Sequence, residues 1–228
     1  MNKYAVIVAG GAGLRMGTSI PKQFLLLKDK PVLWHTVTAF LQAYADVKII
    51  LVLPEQHLGT GVSLVQSIGY AGQIKLVAGG ETRFHSVQEG LKEAPEDSIV
   101  FVHDGVRCLV TTQLIQRCYE GAVNYGNAIP AIFAVDSMRI ETASGFAIID
   151  RNKVRIIQTP QTFSGTILKN AFTQEYQASF TDEACVVESY GERIHLIEGE
   201  ATNIKVTWQM DLLMAGKILE EREMSAQT

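Results

Sequence analysis

The sequence predicts an α/β fold built on a mostly parallel sheet. Two observations support this prediction: short β-rich runs alternate with stretches of helical periodicity through the first half of the chain, and 228 residues suit one large domain better than two independent ones. We therefore expect a single domain spanning residues 1–228. The β-rich runs are Tyr4–Val8, Val47–Leu53, Ile74–Val77, Ile99–His103 and Ala128–Val135.

Three segments between or after these runs have apolar residues at helical spacing. They are Val32–Tyr44, Ser86–Ala94 and Thr111–Tyr125. Helices that alternate with strands cover both faces of a parallel sheet, and ligands then bind outside the carboxyl ends of the strands. We therefore expect the chemistry of the protein in the loops after Val8, Val77 and His103.

The pattern changes after Asp136. Ser137–Thr142 and Phe146–Asp150 flank a short turn and predict a hairpin, and a further extended run follows at Lys153–Gln158. A hairpin inserted in an α/β domain has edges that need covering, so it either projects toward a partner subunit or lies on its own sheet. Helices are predicted to resume at Gly165–Tyr176, Asp182–Tyr190 and Gln209–Glu221.

Composition and charge argue against several classes of protein. The chain is 47% hydrophobic and 19% charged, as ordinary globular proteins are, and a net charge of −4 argues against a broad nucleic-acid surface. No apolar run approaches the roughly 20 residues that span a bilayer, and the N-terminus lacks the pattern of a signal peptide. The three cysteines form no C-x-x-C pair. We expect a cytoplasmic protein with small anionic ligands and no membrane partner.

The first predicted strand leads into a glycine-rich loop. Ala9, Gly10, Gly11 and Gly13 allow the backbone to approach a ligand closely, with N–H groups available to phosphate oxygens. Met16 stands where a dinucleotide fingerprint needs its third glycine, and no Gly-Lys-Ser/Thr follows at the spacing of a Walker loop.

Two basic residues accompany this loop, Arg15 and Lys22. Transfer at phosphorus needs positive charge near the reacting phosphate, and an arginine fork with a lysine point charge can supply it. The less specific interpretation is a glycine-rich turn with two solvated basic residues. The combination of Arg15, Pro21 and Lys22 favours a nucleoside triphosphate site.

The motif Ala9-Gly10-Gly11-x-Gly-x-Arg15-Met16-Gly17 with Pro21-Lys22-Gln23 resembles the signature of the sugar-phosphate cytidylyltransferases. The resemblance runs from about Tyr4 to about Leu213 and is strongest to the branch that uses 2-C-methyl-D-erythritol 4-phosphate. It implies a Rossmann-like, three-layer α/β/α nucleotidyltransferase fold with a projecting β-arm. It also implies CTP as a substrate and Mg²⁺ or another divalent cation as the cofactor.

The same resemblance assigns residues around the nucleotide. It implies that Gly80, Glu81 and Ser86 contact the cytosine. Ser86 is also expected to be a capping-type residue, and Arg83 is expected to support the loop. The metal is assigned to Asp104, which ends a strand, and Gly105 joins the nucleotide contacts. A helix-capping or salt-bridged Asp104 is the alternative. The family usually has Ala-Ala and Pro where this chain has Gly105, Val106 and Cys108, while Asp104 and Arg107 are retained.

The polyol phosphate site is also assigned by the resemblance. It implies that residues 136–159 form an arm that interlocks two subunits of a homodimer and delivers Ser137 and Arg151 to the neighbouring site. Arg107, Thr159 and Thr181 are further substrate contacts, and Thr181 is also the expected cap of the following helix. Lys205, expected within a short strand, is assigned to the reacting phosphates or to the substrate phosphate.

Three alternative functions remain open. A sister branch of the family makes CDP-ribitol from ribitol 5-phosphate, and the first loop does not separate the two branches. A non-catalytic nucleotide-binding module would lack the basic pair or the metal aspartate, which this chain keeps in Arg15, Lys22 and Asp104. A nicotinamide-dependent oxidoreductase would suit the fold but not Met16.

Overall fold

The computed structural model describes residues 1–11, 17 and 20–226. The predicted loop residues Gly13 and Arg15 lie outside this part of the chain. The helices are α1 (Val32–Ala43), α2 (Leu58–Ile68), α3 (Arg83–Leu91), α4 (Thr112–Tyr125), α5 (Gly165–Ala171), α6 (Glu183–Ser189) and α7 (Gln209–Ala226). The strands are β1 (Asn2–Val8), β2 (Leu26–Leu27), β3 (Lys30–Pro31), β4 (Lys48–Leu53), β5 (Ile74–Ala78), β6 (Ser98–Asp104), β7 (Asn127–Phe133), β8 (Met138–Thr142), β9 (Gly145–Ile149), β10 (Arg155–Ile157), β11 (Gln161–Ser164) and β12 (Leu196–Glu198).

The main sheet has a parallel core and a mixed outer half. Its strand order is β10-β7-β11-β6-β1-β4-β5, with β12 also paired to β7. β6, β1, β4 and β5 run parallel, whereas β11 is antiparallel to both of its neighbours. In the register of the core, Val8 pairs with both Asp104 and Val52. The carboxyl ends of three strands therefore meet at one edge.

Alternating side chains of the sheet build two cores. In β1, Ala5 and Ile7 pack with residues of α1, α2 and α4, while Tyr4 and Val6 pack with residues of α3, α5 and α6. Successive side chains of a strand point to opposite faces, so a strand apolar at every position is buried from both sides. This confirms the predicted three-layer α/β/α class.

A third apolar cluster lies beside the strand ends. It joins Leu27 and Val32 to Val106, Val206 and Ala215, and so brings α7 and the segment before it against the residues that follow β6. The expected strand around Lys205 is wrong: residues 203–207 have no strand geometry, although the N–H of Val206 donates to the carbonyl of Val106 at 3.0 Å.

The hairpin of β8 and β9 forms a separate two-stranded sheet. Ile140, Phe146 and Ile148 on it are more than half exposed. The interpretation in which the hairpin lies on its own main sheet is therefore wrong, and the predicted projecting arm is confirmed for the hairpin. β10, which falls within the expected bounds 136–159, instead pairs with β7 in the main sheet. Among the described helices, none is both long and apolar enough to cross a membrane.

Several predicted helix ends differ from the structure, among them both ends of α3 and the end of α7. α5 ends at Ala171, well before the expected end at Tyr176. The cap of α6 is Asp182, whose carboxylate accepts the N–H of Cys185 at 2.9 Å, and not Thr181. Asp182 also accepts a hydrogen bond from Gln161, so a tertiary contact selects it over its neighbour.

Candidate active site

A cleft of about 600 Å³ opens at the carboxyl ends of the parallel strands. Loops after β1, β4, β5 and β6 all contribute to it, as expected where parallel strands end together. Its lining consists of Val8, Ala9, Gly10, Gly11, Lys22, Gln23, Pro54, Glu55, Gln56, Gly79, Gly80, Glu81, Thr82, Arg83, Ser86, Asp104, Val106 and Lys205.

Hydrogen bonds with two other segments of the chain hold the loop after β1 in place. The N–H of Ala9 donates to Val52, and Gln23 donates its side-chain amide to the carbonyl of Ala9 at 2.9 Å. Lys22 is buried and donates Nζ to the carbonyl of Val206 at 3.0 Å, yet it lines the cleft. Its ammonium charge is therefore fixed beside Gly10 and Gly11, where an anionic ligand would meet backbone N–H groups.

The turn between β5 and α3 forms the facing wall. Thr82 caps α3 by accepting the N–H of His85, so Ser86, expected as a capping-type residue, lies within the helix and donates to the carbonyl of Gly80 at 3.3 Å. A Cβ on Gly80 would lie 2.5 Å from that of His85. Glycine is required here because the turn packs directly on the helix that follows it.

Asp104 lies at the centre of three cationic side chains. Its Oδ1 accepts from Arg83 Nη2 at 3.3 Å, and its Oδ2 is 3.3 Å from Arg107 Nε and 3.1 Å from Lys205 Nζ. Burial alone would raise the pKa of Asp104, but Arg83, Lys205 and Arg107 outweigh it and hold the pKa well below its usual range. The carboxylate is therefore ionised at neutral pH.

A layer of buried polar groups supports Asp104 from behind. Thr159 Oγ1 accepts the N–H of Asp104 at 3.1 Å and lies 3.0 Å from His103 Nδ1, while Asn203 donates to the carbonyl of Thr159. Burial lowers the pKa of His103 to about 3, so its ring is neutral at physiological pH.

The structure brings most of the predicted nucleotide residues together. Ala9, Gly10, Gly11, Lys22, Gly80, Glu81, Ser86, Asp104 and Lys205 all line the cleft. Gly105 lies just behind it, where its N–H donates to Val8, and Arg107 is held there by the carbonyls of Asn203 and Ile157.

The remaining substrate candidates are outside the cleft of this chain. Ser137 is exposed at the base of the hairpin, and Arg151 is exposed with Nη1 donating to Val135. Thr181 is exposed, 3.5 Å from the sulfur of Cys185. Thr159 is buried behind Asp104.

Sequence reasoning missed several residues of the lining. Gln23 was named only as part of the family motif and Arg83 only as a support of its loop, yet one fixes the first loop and the other contacts Asp104 directly. Pro54, Glu55 and Gln56 follow β4, a strand end that was not expected to contribute. The rule that placed ligands at the ends of parallel strands could have found this last group.

Known proteins match this chain over nearly its whole length. The family model described as IspD, 2-C-methyl-D-erythritol 4-phosphate cytidylyltransferase, matches residues 4–221. The cytidylyltransferase of that name from Bacteroides thetaiotaomicron is 43% identical over 219 residues, covering 96% of this chain and all of the relative. The one from Porphyromonas gingivalis strain ATCC 33277 is 42% identical over 95% of this chain and 97% of its own.

Solved structures agree with these sequence matches. The 4-diphosphocytidyl-2C-methyl-D-erythritol synthase of Anaerococcus prevotii superposes with a TM-score of 0.82 at 27% identity, covering 96% of this chain and 98% of its own. The cytidylyltransferase of Thermus thermophilus gives a TM-score of 0.74 at 27% identity, with the same coverage. With its fold and its cleft, this chain belongs to the 2-C-methyl-D-erythritol 4-phosphate cytidylyltransferase family.

Proposed function

We propose that this enzyme transfers CMP from CTP to 2-C-methyl-D-erythritol 4-phosphate, giving 4-diphosphocytidyl-2-C-methyl-D-erythritol and pyrophosphate in the non-mevalonate isoprenoid pathway. Beside the family membership, one observation carries the proposal. The cationic side chains of Lys22 and Lys205 line a cleft whose opposite walls are glycine backbone. Such a cleft suits a polyanion that must be held close to the main chain.

The nucleotide is proposed to lie across the cleft from β1 to β5. Its phosphates would lie on Ala9, Gly10 and Gly11, with the family motif adding Gly13 and Arg15. Its cytosine would contact Gly80, Glu81 and Ser86, where backbone groups and a hydroxyl can read the edge of a base. A Cβ on Gly105 would lie 2.8 Å from that of Ala9. The glycine therefore lets the segment after β6 pack directly against the loop that would hold the phosphates.

The reaction is proposed to be an in-line attack at the α-phosphorus of CTP. A phosphate monoester is already anionic at neutral pH, so the attacking oxygen needs no general base. Catalysis then consists of holding the two phosphates in line and stabilising the charge that develops, which is the role assigned to Arg15, Lys22 and Lys205.

Asp104 is the proposed metal residue. Its ionised carboxylate on the cleft lining fits a divalent cation such as Mg²⁺, which takes one or two protein carboxylates and completes its shell with phosphate oxygens and water. When bound, the cation would neutralise phosphate charge. Lys205, whose side chain is 46% exposed, can give up its contact with Asp104 when the cation arrives.

The polyol phosphate site is proposed to be shared between two copies of the chain. Within one copy, Ser137 and Arg151 lie on the exposed part of the arm and do not line the cleft. Arg107 and Thr181 belong to the body, and Thr159, the last residue of the expected arm, is buried against His103 and Asp104. Exposed Phe146 and Ile148 give the arm an apolar surface to bury. We infer a homodimer through the 136–159 arm of a single nucleotidyltransferase domain, residues 1–228.

The cytoplasm is the proposed compartment. The reaction consumes CTP, a nucleotide of the cell interior, and all three cysteines are free thiols, as is usual in a reducing compartment. No nucleic-acid or membrane partner is proposed.

Pyrophosphate release tests the function and its rivals together. The purified enzyme is incubated with CTP and Mg²⁺ and with either 2-C-methyl-D-erythritol 4-phosphate or ribitol 5-phosphate. We expect release with the first polyol phosphate and little with the second. Faster release with ribitol 5-phosphate would assign the sister activity, and binding of CTP without release under either condition would indicate a non-catalytic module.

A further inference from the structure

Glu183 is a buried carboxylate for which the proposed reaction has no use. It is the first residue of α6 and its side chain is only 1% exposed. Its Oε1 accepts a hydrogen bond from Arg83 Nη1, while its Oε2 makes none with the described part of the chain. A buried carboxylate is costly unless it is paired, so Arg83 is what makes this position tolerable.

Arg83 connects Glu183 to the centre of the cleft. One guanidinium nitrogen binds Glu183, and the other, Nη2, lies 3.3 Å from Asp104 Oδ1. Burial would lower the pKa of Arg83, but the two carboxylates outweigh it and raise the pKa. A guanidinium is planar and rigid, so fixing one of its nitrogens also fixes the direction of the other.

The three cations around Asp104 differ in how firmly they are held. Arg107 is fixed by the carbonyls of Asn203 and Ile157, and Arg83 is fixed by Glu183. The side chain of Lys205 is 46% exposed, against 29% for Arg83 and 12% for Arg107. A triphosphate entering the cleft can therefore draw Lys205 toward itself. Without Glu183 it could draw Arg83 away from Asp104 as well, because Arg83 lines the same cleft.

We propose that Glu183 is a positioning residue, which tethers Arg83 to Asp104 and prevents the guanidinium from turning to the phosphates of the nucleotide. The inference rests on the proposed function, since it assigns a role within that cleft. It predicts that kcat and KM for CTP respond differently when the tether is lost. Loss of the tether misplaces Asp104 and lowers kcat, whereas the released arginine still attracts CTP, so KM for CTP does not rise.

A double-mutant cycle tests this role. The variants are Glu183→Gln, Arg83→Gln and the double variant, with Glu188→Gln, an exposed residue of the same helix, as the matched control. We expect Glu183→Gln to lower kcat about tenfold or more without raising KM for CTP. Because Glu183 acts only through Arg83, the double variant should match Arg83→Gln within about twofold in kcat. The control should behave as wild type.

Folding is checked by thermal unfolding of each variant. If Glu183→Gln does not fold, Arg83→Lys decides instead, since it keeps the charge but cannot bridge two carboxylates; the same fall in kcat without a rise in KM is expected. The proposal would be overturned if the losses in kcat of the two single variants multiplied in the double variant. Wild-type kcat in folded Glu183→Gln or in folded Arg83→Lys would overturn it as well. Absence of pyrophosphate release by the wild-type enzyme would instead refute the proposed function.

Discussion

Lys22 combines two properties that are seldom found together in a lysine. It is 9% exposed, and it lines the cleft beside Gly11, where a Cβ would lie 4.0 Å from the lysine Cε. Its hydrogen bond to the carbonyl of Val206 ties the first loop to the segment that carries Lys205. One buried ammonium group therefore joins two parts of the chain that both contribute charge to the cleft.

Replacing Lys22 by Ala should slow the reaction severely. Removing a fixed charge that stabilises the transition state typically lowers kcat by about 10²- to 10³-fold. Initial rates of pyrophosphate release at saturating CTP measure the effect, and Lys92→Ala, which removes an exposed lysine of the body, is the control. Near-normal turnover in a folded Lys22→Ala enzyme would contradict the role given to this residue.

The cysteines make a second prediction at the residue scale. Burial raises the pKa of both Cys108 and Cys118 to about 12, so in the native protein they stay protonated and inaccessible. Cys185 is partly exposed. An aromatic disulfide reagent at pH 8 should therefore modify one thiol per chain, and all three after unfolding in guanidinium. Rapid modification of three thiols in the folded protein would show that the cores are more open than described.

Local motifs predicted the site residues that can be identified from their neighbours in the sequence. Gly80, Asp104 and Lys205 were found because glycines, strand ends and family spacing identify them, and all three line the cleft. Arg83 was taken only as a loop support. It contacts both Asp104 and Glu183, the latter 100 residues away, and no local pattern shows such a pairing.

At the scale of elements, periodic segments were predicted well and irregular ones were not. The expected helix Val32–Tyr44 corresponds to α1, and the expected strands of the parallel core all exist. α2 was missed because Gly59 and Gly61 weaken its helical pattern; the space at Gly61 is filled by Leu53 and Leu76, which explains the glycine. β11 and β12 are short strands whose pairing depends on distant partners.

The turn between β5 and α3 gives a prediction of its own. In Gly80→Ala the new methyl group would collide with His85, so the turn must shift away from α3 and the proposed base site widens. We expect KM for CTP to rise about tenfold, or 1.4 kcal/mol, with a smaller effect on kcat. Gly72→Ala, where a Cβ meets nothing within 4 Å, is the control. An unchanged KM in Gly80→Ala would remove this turn from the nucleotide site.

For the whole molecule, the central prediction concerns the arm. If two copies interlock through residues 136–159, the native mass is about twice 25.1 kDa. Replacing Phe146 and Ile148 by Ser should shift the enzyme toward monomer and lower its activity in parallel, because burial of these side chains favours association. Val62→Ser, an exposed apolar position on α2, should change neither property. A stable, fully active wild-type monomer would contradict the shared site.

The most direct test of the account follows each phosphate of CTP. The enzyme is supplied with Mg²⁺, 2-C-methyl-D-erythritol 4-phosphate and CTP labelled at either the α- or the γ-phosphorus. Attack at the α-phosphorus predicts that the α-label appears in the cytidylylated polyol and the γ-label in pyrophosphate. Transfer of the γ-label to the polyol, or no transfer of either label, would contradict the assignment of the cleft to cytidylyl transfer.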